Sequence, residues 1–195
     1  MIKENEFALP IKYLPRVSWF ANAIEKRELI LCSAEIYRKE NHPNRCSIVS
    51  ANGLINLSVP LAGGRNQKVM MSELKIAGND WKRNHLQAIK SAYGKAPYFL
   101  YYFDALENCI KNSEDNYLNF CIELIKWLIH ELIRPLSINV TSAEIPVLNS
   151  PSLNCKKYYQ VFENKFGFQN DVCAIDLLFC MGPDANQYLI DNFKK

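Results

Sequence analysis

The longest mainly apolar stretch of the chain, residues 117–133, constrains the fold more than any other segment. Its apolar side chains recur at helical spacing, at Leu118, Ile122, Ile125, Ile129 and Leu132. Charged or titratable side chains that are costly within a membrane interrupt it, at Glu123, Lys126, His130 and Glu131. Ser113 is predicted to cap this helix, and Pro135 to end it. The chain must therefore supply other elements that cover the apolar face of a buried helix.

Segments typical of β-strands precede this helix. Residues 28–33 form a compact apolar run, and residues 46–50 and 54–61 flank Asn52-Gly53, a strong signal for a hairpin turn. Further strands are predicted at residues 7–11, 71–76 and 138–141. A chain of 195 residues fits one domain, over residues 1–195. We predict an α/β fold: a single compact domain whose N-terminal strands form a central sheet and whose helices lie mostly in the C-terminal half.

Residues 79–102 concentrate groups that recognise ligands, including Lys82, Arg83, Lys90, Lys95 and several aromatic rings. A helix is predicted from an N-cap at Asn79 or Asp80 to about Tyr93, with Gly94 as a left-handed C-cap. A second helix is predicted to begin at Pro97. Other helices are predicted at residues 17–23, at residues 156–167 and after Met181-Gly182-Pro183.

Charge and composition exclude some classes of function. The net charge of +3 is too small for a nucleic-acid footprint, so no nucleic-acid partner is expected. Residues 1–6 mix Lys and Glu and do not resemble a signal peptide, and no segment has the composition of a membrane span. A cytoplasmic location is predicted.

Seven cysteines, an odd number without a Cys-x-x-Cys pair, predict reduced and mostly buried thiols. No metal site is expected, since paired ligand spacing is missing, and the sequence specifies no cofactor. Cys46 follows Arg45 and Cys155 precedes Lys156, and an adjacent cation is a weak sign of a reactive thiol.

Three residues are candidates for chemistry, and each has a structural alternative. Arg45, in a polar turn before a strand, either captures a phosphate or carboxylate or bridges loop carbonyls. His85 is either a general acid or base, or a packed and hydrogen-bonded core histidine. Asp176, within an apolar run, is a helix N-cap, a partner of Arg45 or Lys82, or a base. His42 and His130 have no sequence neighbours that favour chemistry.

The aromatic residues Trp81 and Tyr93 have similar alternatives. Together with Tyr98 and Tyr159, Trp81 and Tyr93 could form a surface on which a sugar stacks, although an aromatic core is the commoner arrangement. Gly63-Gly64 is a weak signal for a phosphate-binding loop.

Several short phrases, taken in order, resemble the WbqC-like proteins, in the short form common in Bacteroidetes. The phrases are Tyr13-Leu14-Pro15, Asn44-Arg45-Cys46, Ala51-Asn52-Gly53, Leu57-Ser58-Val59-Pro60, Trp81 to His85, Ala92-Tyr93 with Ala96-Pro97-Tyr98-Phe99, Tyr158-Tyr159-Gln160-Val161-Phe162, and Asp176 to Pro183. The resemblance implies a role in the biosynthesis of surface polysaccharides of the O-antigen type. It also implies a transferase that moves a glycyl or other aminoacyl group to a sugar.

The chain departs from longer members in its N-terminal loop. Those members carry His-Gln-Pro-Asn where this chain has Leu9, Pro10, Ile11 and Lys12. The imidazole that would contact a phosphate is therefore missing, although Lys12 supplies a point charge.

Together these observations predict one cleft that holds Tyr13, Arg45, Trp81, His85 and Tyr93, with Asp176 nearby. Arg45, Tyr13, Trp81 and Tyr93 are assigned to substrate binding, and His85 and Asp176 to catalysis. The expected ligand is a small molecule, such as a nucleotide sugar or an amino-sugar. The alternative is a non-catalytic binding or assembly protein of a polysaccharide locus, so whether the protein is an enzyme stays open.

Overall fold

The computed structural model describes residues 8–24, 28–63, 69–133, 137–142, 146–147 and 154–193. The helices are α1 (Val17–Ile24), α2 (Asp80–Tyr93), α3 (Phe99–Lys111), α4 (Tyr117–Leu132), α5 (Glu163–Phe166), α6 (Ala174–Met181) and α7 (Asp184–Phe193). The strands are β1 (Glu28–Cys32), β2 (Arg45–Ser50), β3 (Gly53–Ser58) and β4 (Ser137–Thr141). This mixture confirms the predicted α/β class. None of the helices in these ranges is long and apolar enough to cross a membrane.

The strands form two small sheets. The β2–β3 hairpin is antiparallel with Ser50 opposite Gly53, which confirms the Asn-Gly turn, and Gly53 adopts φ 92°. β1 pairs in parallel with β4, with Leu29 opposite Ile138. Among the described residues, the predicted central sheet is thus divided into two pairs of strands. Most of the side chains that pack in the hydrophobic core therefore come from helices and not from a large sheet.

Helix α4 lies at the centre of the hydrophobic core, as its apolar pattern predicted. Its buried face includes Leu118, Ile125 and Leu132, and it packs against α3, α6 and α7. The prediction of Ser113 as its cap was wrong. Asn116 is the N-cap, and its side chain accepts a hydrogen bond from Asn119 N at 2.9 Å. The residues between Ser113 and Asn116 connect α3 to α4.

Helices α2 and α3 form an antiparallel helical hairpin whose turn includes Gly94. The prediction of a left-handed Gly94 was wrong, because its φ is −58°. A Cβ atom at this position would lie 2.7 Å from Lys90 O, so the glycine permits a close backbone approach. The helix begins after Asn79, whose side chain makes no capping hydrogen bond.

Two predicted elements near the candidate site take other conformations because long-range contacts determine them. Residues 71–76 were predicted as a strand, but Met71–Glu73 is a 3-10 helix, and Ile76 N donates to Asp115 O at 2.7 Å. Residues 156–167 were predicted as a helix, but only Glu163–Phe166 is helical. The segment before it is held by the side chain of Gln160, which bonds both backbone groups of Gln169.

The predicted first strand at residues 7–11 is reduced to isolated bridges. Ala8 pairs with Val147 and Leu9 with Leu31, while Phe7 lies outside the described residues. Leu9 N donates to Ile30 O at 2.9 Å, so this segment runs beside β1 before it turns towards Tyr13. The N-terminal segment, residues 8–16, is therefore fixed to β1 at one end and enters α1 at the other.

Candidate functional site

A cleft of about 350 Å³ lies between the N-terminal segment, the turn before β2 and the β2–β3 hairpin. We call it the cationic cleft, and its lining consists of residues 12–16, 18–19, 40–42, 45–47 and 56. Period-2 alternation places Arg45 and Ser47 on the same face of β2. Ser47 donates a hydrogen bond to Asn56 Oδ1 on β3 at 2.7 Å. One wall of the cleft is therefore a cation beside a polar cross-strand pair.

Cations outnumber carboxylates in this cleft. Lys12, Arg16 and Arg45 line it together with a single acidic residue, Glu40. Arg45 is exposed, and no described carboxylate lies within salt-bridge distance of it. The cleft therefore presents positive charge that the described protein does not neutralise at close range.

Lys12 is half-buried, and its surroundings act on it in opposite directions. Burial lowers the pKa of the Lys12 ammonium, nearby Arg16 lowers it further, and the carboxyl groups of Glu35 and Asp171 raise it. Burial also raises the pKa of Glu35 and Asp171, and Lys12 partly offsets this increase. An anion beside Lys12 and Arg16 would relieve the repulsion between these two cations.

Two residues of the cleft lining adopt left-handed backbone conformations that side chains disfavour. Leu14 has φ 42° and His42 has φ 44°. The chain turns sharply at Leu14, directly before Pro15. Leu14 O accepts a hydrogen bond from Cys173 Sγ at 3.3 Å. Tyr13 N also donates to Pro43 O at 2.8 Å, which ties the two strained loops together. Conformations of this kind cost of order 1–3 kcal/mol and cluster at functional sites.

Tyr13 connects the cleft to a buried aromatic cluster. Its hydroxyl lies 3.0 Å from His85 Nδ1, and its ring meets Trp81 edge to face with centroids 6.3 Å apart. Phe120 packs against both Tyr13 and Trp81. The Trp81 indole nitrogen is enclosed and has no hydrogen-bond partner among the described residues. Trp81 and His85 therefore lie in the interior, behind Tyr13.

His85 is only 6% exposed. Burial lowers its pKa to about 4, and a hydrogen bond with the Ser58 backbone acts in the opposite direction. When the other ring nitrogen carries the proton and donates to the Ser58 backbone, Nδ1 of the neutral imidazole accepts a hydrogen bond from the Tyr13 hydroxyl. A neutral, enclosed imidazole fixes the Tyr13 hydroxyl.

Asp176 and Tyr93 belong to a second interior group, which we call the Asp176 cluster: Tyr93, Tyr158, Gln160 and Asp176. Tyr158 OH and Gln160 Nε2 donate to Asp176 Oδ1 at 2.7 and 2.9 Å. Burial raises the pKa of Asp176, while Tyr158, Gln160 and Tyr93 lower it. Tyr93 OH also accepts a hydrogen bond from Val49 N at 3.3 Å.

The predicted alternatives of an N-cap or a partner of Arg45 or Lys82 do not describe Asp176. Cys173 is the N-cap of α6, and Asp176 lies inside its first turn with neutral partners. The sequence missed these partners because residues 158–160 were assigned to a helix. In the structure, that segment brings both side chains to the carboxyl group.

The structure thus separates the six predicted site residues. Arg45 is exposed in the cationic cleft, and Tyr13 borders the cleft but is itself fully buried, in contact with Trp81 and His85. Trp81, His85, Tyr93 and Asp176 are also buried, and none of these four lines the cleft. The roles assigned to these six residues stay predictions.

Sequence analysis missed two members of the cleft. Arg16 directly follows Tyr13-Leu14-Pro15 and lies four residues after Lys12. This pair of nearby cations was the sequence signal that could have placed Arg16 in the site. His42, to which no chemistry was assigned, lines the cleft beside Arg45.

No cluster of three metal-ligating side chains occurs in the described ranges. All seven cysteines carry free thiols in the structure. Burial raises the pKa of the Cys46 thiol well above its usual range, with contributions from adjacent Cys173. Cys46 therefore lines the cleft as a neutral thiol and not as a thiolate nucleophile.

No curated protein and no solved structure matches the chain significantly. A protein-family comparison does give a match, to the WbqC-like protein family, over residues 11–153. The matched region begins just before Lys12 and contains Tyr13, Arg45 and the α2–α3 hairpin. The match covers most of the 195 residues, and the chain belongs to the WbqC-like protein family.

Proposed function

We propose that this protein binds an anionic sugar derivative in the cationic cleft and acts in the biosynthesis of surface polysaccharides of the O-antigen type. The ligand class is a nucleotide sugar or a phosphorylated or carboxylated amino-sugar. The reaction form of the proposal is the transfer of a glycyl or other aminoacyl group to that sugar, in the cytoplasm. Family membership supports the pathway, and the charge of the cleft supports the ligand class.

The observation that carries the proposal is the convergence of Lys12, Arg16 and Arg45 on one cleft with a single lining carboxylate. These cations come from segments about thirty residues apart in the chain, so local sequence does not explain their proximity. Arginine and lysine together suit phosphate, because arginine bonds it in a bidentate manner and lysine adds a point charge. The Ser47–Asn56 pair adds neutral polar groups that suit sugar hydroxyls.

In this proposal Arg45 holds the anionic group and Tyr13 supports the cleft from behind. His85 acts through Tyr13 as a positioning residue, because its ring bonds the Tyr13 hydroxyl and does not line the cleft. The catalytic roles predicted for His85 and Asp176 need contact with the ligand. That contact would require the interior to open.

A non-catalytic binding role is the second candidate. The burial of both predicted catalytic residues favours it, and so does the neutral state of Cys46. In this case the protein would hold or deliver the anionic sugar without changing it.

The experiment has a binding stage and a turnover stage. Nucleotide sugars, sugar phosphates and inorganic phosphate are screened by thermal shift, since a ligand of the folded state raises Tm. Titration calorimetry then compares the wild type with Arg45→Ala. A single charge-assisted contact is worth roughly 1.5–3 kcal/mol, so affinity should fall about tenfold to a hundredfold. Arg83→Ala, at an exposed arginine of α2 outside the cleft, is the matched control and should bind normally.

Any ligand found is then incubated with activated glycyl donors, and the sugar is analysed by mass spectrometry. A gain of one aminoacyl group supports the transferase, and binding without a product supports the binding role. If Arg45→Ala binds every hit as tightly as the wild type does, the cationic cleft is not the ligand site and the proposal fails.

A further inference from the structure

The end of the α2–α3 hairpin exposes two large apolar side chains next to each other. Leu100 is 83% exposed and Tyr101 is 79% exposed, in the first turn of α3. The other exposed large apolar side chains of the described chain reach 54% at most. The Tyr98 ring lies 6.1 Å from that of Tyr101, between the centroids, and extends the patch towards the turn. Exposure of this degree at adjacent positions points to a surface that contacts something apolar.

Exposed cations lie in the same part of the hairpin as this apolar pair. Lys95 lies in the turn between the two helices, and Lys90 lies in the last turn of α2, both exposed. Arg83 continues the same face of α2 two turns earlier. The acidic side chains nearby on α3 are Asp104 and Glu107, and Glu107 is paired with Lys111 at 3.1 Å. Asp104 is exposed and lies one helical turn from Leu100 and Tyr101. The closed end therefore combines protruding apolar groups with two lysines and this one carboxylate.

The geometry of the hairpin places Lys90 and Leu100 on one side, and Tyr101 lies about 100° further round α3. Lys82 Nζ donates to Lys111 O at 3.2 Å, so the open ends of α2 and α3 lie level with each other. Lys90 and Phe103 line one groove of about 510 Å³ between the two helices. Leu100 lies one turn beyond Phe103, at the closed end, where Lys90 and Lys95 also lie. Helical spacing puts Leu100 on the same face of α3 as Glu107 and Lys111.

We propose that the closed end of the α2–α3 hairpin docks on an anionic lipid surface. Leu100 and Tyr101 would enter the boundary between headgroups and acyl chains, where tyrosine is favoured. Lys90 and Lys95 have long flexible stems that reach the headgroup phosphates while their apolar carbons stay against the lipid. Two protruding side chains are too small a patch for a stable protein interface, which buries about 800 Å² on each partner. A lipid surface needs no such area of shape complementarity.

This proposal is independent of the cationic cleft, because none of its residues lines that cleft. Its test is co-sedimentation of the full chain with vesicles of phosphatidylcholine, with and without an equal part of phosphatidylglycerol. We expect binding to the anionic vesicles, little binding to the neutral ones, and a loss of binding at high salt, since salt screens the lysine–phosphate attraction.

Two variants locate the contact. Leu100→Ser/Tyr101→Ser removes the apolar pair, and Lys90→Glu/Lys95→Glu reverses the charge. Each should weaken binding roughly tenfold or more, because both the surface cations and the inserted apolar side chains contribute to the free energy of lipid binding. Leu54→Ser/Tyr159→Ser is the matched control, because both side chains are 54% exposed at other places. It should bind as the wild type does.

Three results would overturn the proposal. The first is the absence of the wild type from the anionic vesicle pellet at low salt. The second is equal binding to neutral and anionic vesicles. The third is that the Lys90→Glu/Lys95→Glu variant binds the anionic vesicles as tightly as the wild type does. Both of its substitutions are at exposed positions, so this variant tests the proposal even if the serine variant is unstable. If this surface docks on a protein and not on lipid, the wild type should also be absent from the anionic vesicle pellet.

Discussion

The cationic cleft and the Asp176 cluster both concentrate ionisable side chains, but the environments of these side chains are opposite. In the cleft, Arg16 and Arg45 are exposed and Lys12 is half-buried near Glu35 and Asp171. Arg45 has no carboxylate of the described chain within ion-pair distance. In the cluster, Asp176 is fully buried, and Tyr158 and Gln160 donate to its carboxyl group. A cation at the cleft without a close carboxylate can pair with an anionic ligand. The Asp176 carboxyl, by contrast, accepts both of its hydrogen bonds at Oδ1, and its Oδ2 is buried without a partner among the described residues.

Tyr13 and His85 lie between these extremes and show how the interior supports the cleft. Tyr13 lines the cleft and is held from behind by a neutral imidazole. Under the proposed function, three kinds of contribution are therefore distinct: ligand binding by the cleft cations, support by the Tyr13–His85 pair, and stability from the Asp176 cluster. Each kind has its own test.

The largest effect is expected at the Asp176 cluster. Asp176→Ala leaves the Tyr158 hydroxyl and the Gln160 amide without their buried acceptor, so the free energy of unfolding should fall by about 3 kcal/mol. Chemical denaturation measures this fall. Ligand affinity in the cleft, measured at a temperature where the variant is folded, should be unchanged. A loss of affinity with a stability equal to that of the wild type would instead place Asp176 in the site.

Asp176→Asn is the matched control, because it keeps an acceptor oxygen and does not titrate. Burial raises the pKa of folded Asp176 above its usual value of 3.8, so its protonated form is favoured in the folded state. The free energy of unfolding of the wild type, relative to that of the Asn variant, should therefore be greatest below pH 3.8. It should fall as pH rises through the pKa of folded Asp176. An opposite slope would show that the carboxylate is stabilised and not penalised by its surroundings.

A smaller effect with the opposite pH dependence is expected at His85. Its folded pKa of about 4 lies below its usual 6.5, so protonation favours the unfolded chain. Its contribution to stability is present above pH 6.5 and is lost as pH falls from 6.5 towards 4, by roughly 2 kcal/mol. Denaturation at several pH values should show this loss in the wild type but not in His85→Gln, which stays neutral throughout. The same pH dependence in both proteins would assign the effect to other groups.

The smallest effect is expected at Tyr13→Phe. The change removes the hydroxyl bonded to His85 Nδ1 and keeps the packed ring, so stability should fall by about 1 kcal/mol. Because the hydroxyl is occupied by His85, affinity should change much less than it does in Arg45→Ala. Thermal denaturation and calorimetry of the two variants, side by side, separate support from binding. A large loss of affinity in Tyr13→Phe would mean that the hydroxyl contacts the ligand.

Local signals predicted local structure well. The Asn52-Gly53 turn was sufficient to place the β2–β3 hairpin, and the spacing of Leu118 to Leu132 was sufficient to place α4 in the core. The helix at residues 156–167 failed because Gln160 and Tyr158 make long-range hydrogen bonds that outweigh helical propensity. Ser113 was chosen as a cap because serine often caps helices, but Asn116 lies closer to the first helical turn.

The candidate site was predictable only in part. The family phrases pointed to Tyr13 and Arg45, and both line the cleft. Arg16 and His42 were missed because their positions depend on left-handed backbone at Leu14 and His42. Leucine disfavours this conformation, and histidine adopts it more often than most residues but still uncommonly. The interior position of His85 follows from its place on the apolar stripe of α2, and that alternative was visible in the sequence.

The central claim is that the cationic cleft, and not the buried groups, receives the anionic part of the ligand. A crystal structure of the protein with inorganic phosphate tests it most directly. We predict a phosphate within about 3 Å of the Arg45 guanidinium and of Lys12 or Arg16. A phosphate bound only elsewhere, such as the groove lined by Arg83 and Lys90, with the cleft empty at the same concentration, would contradict the claim.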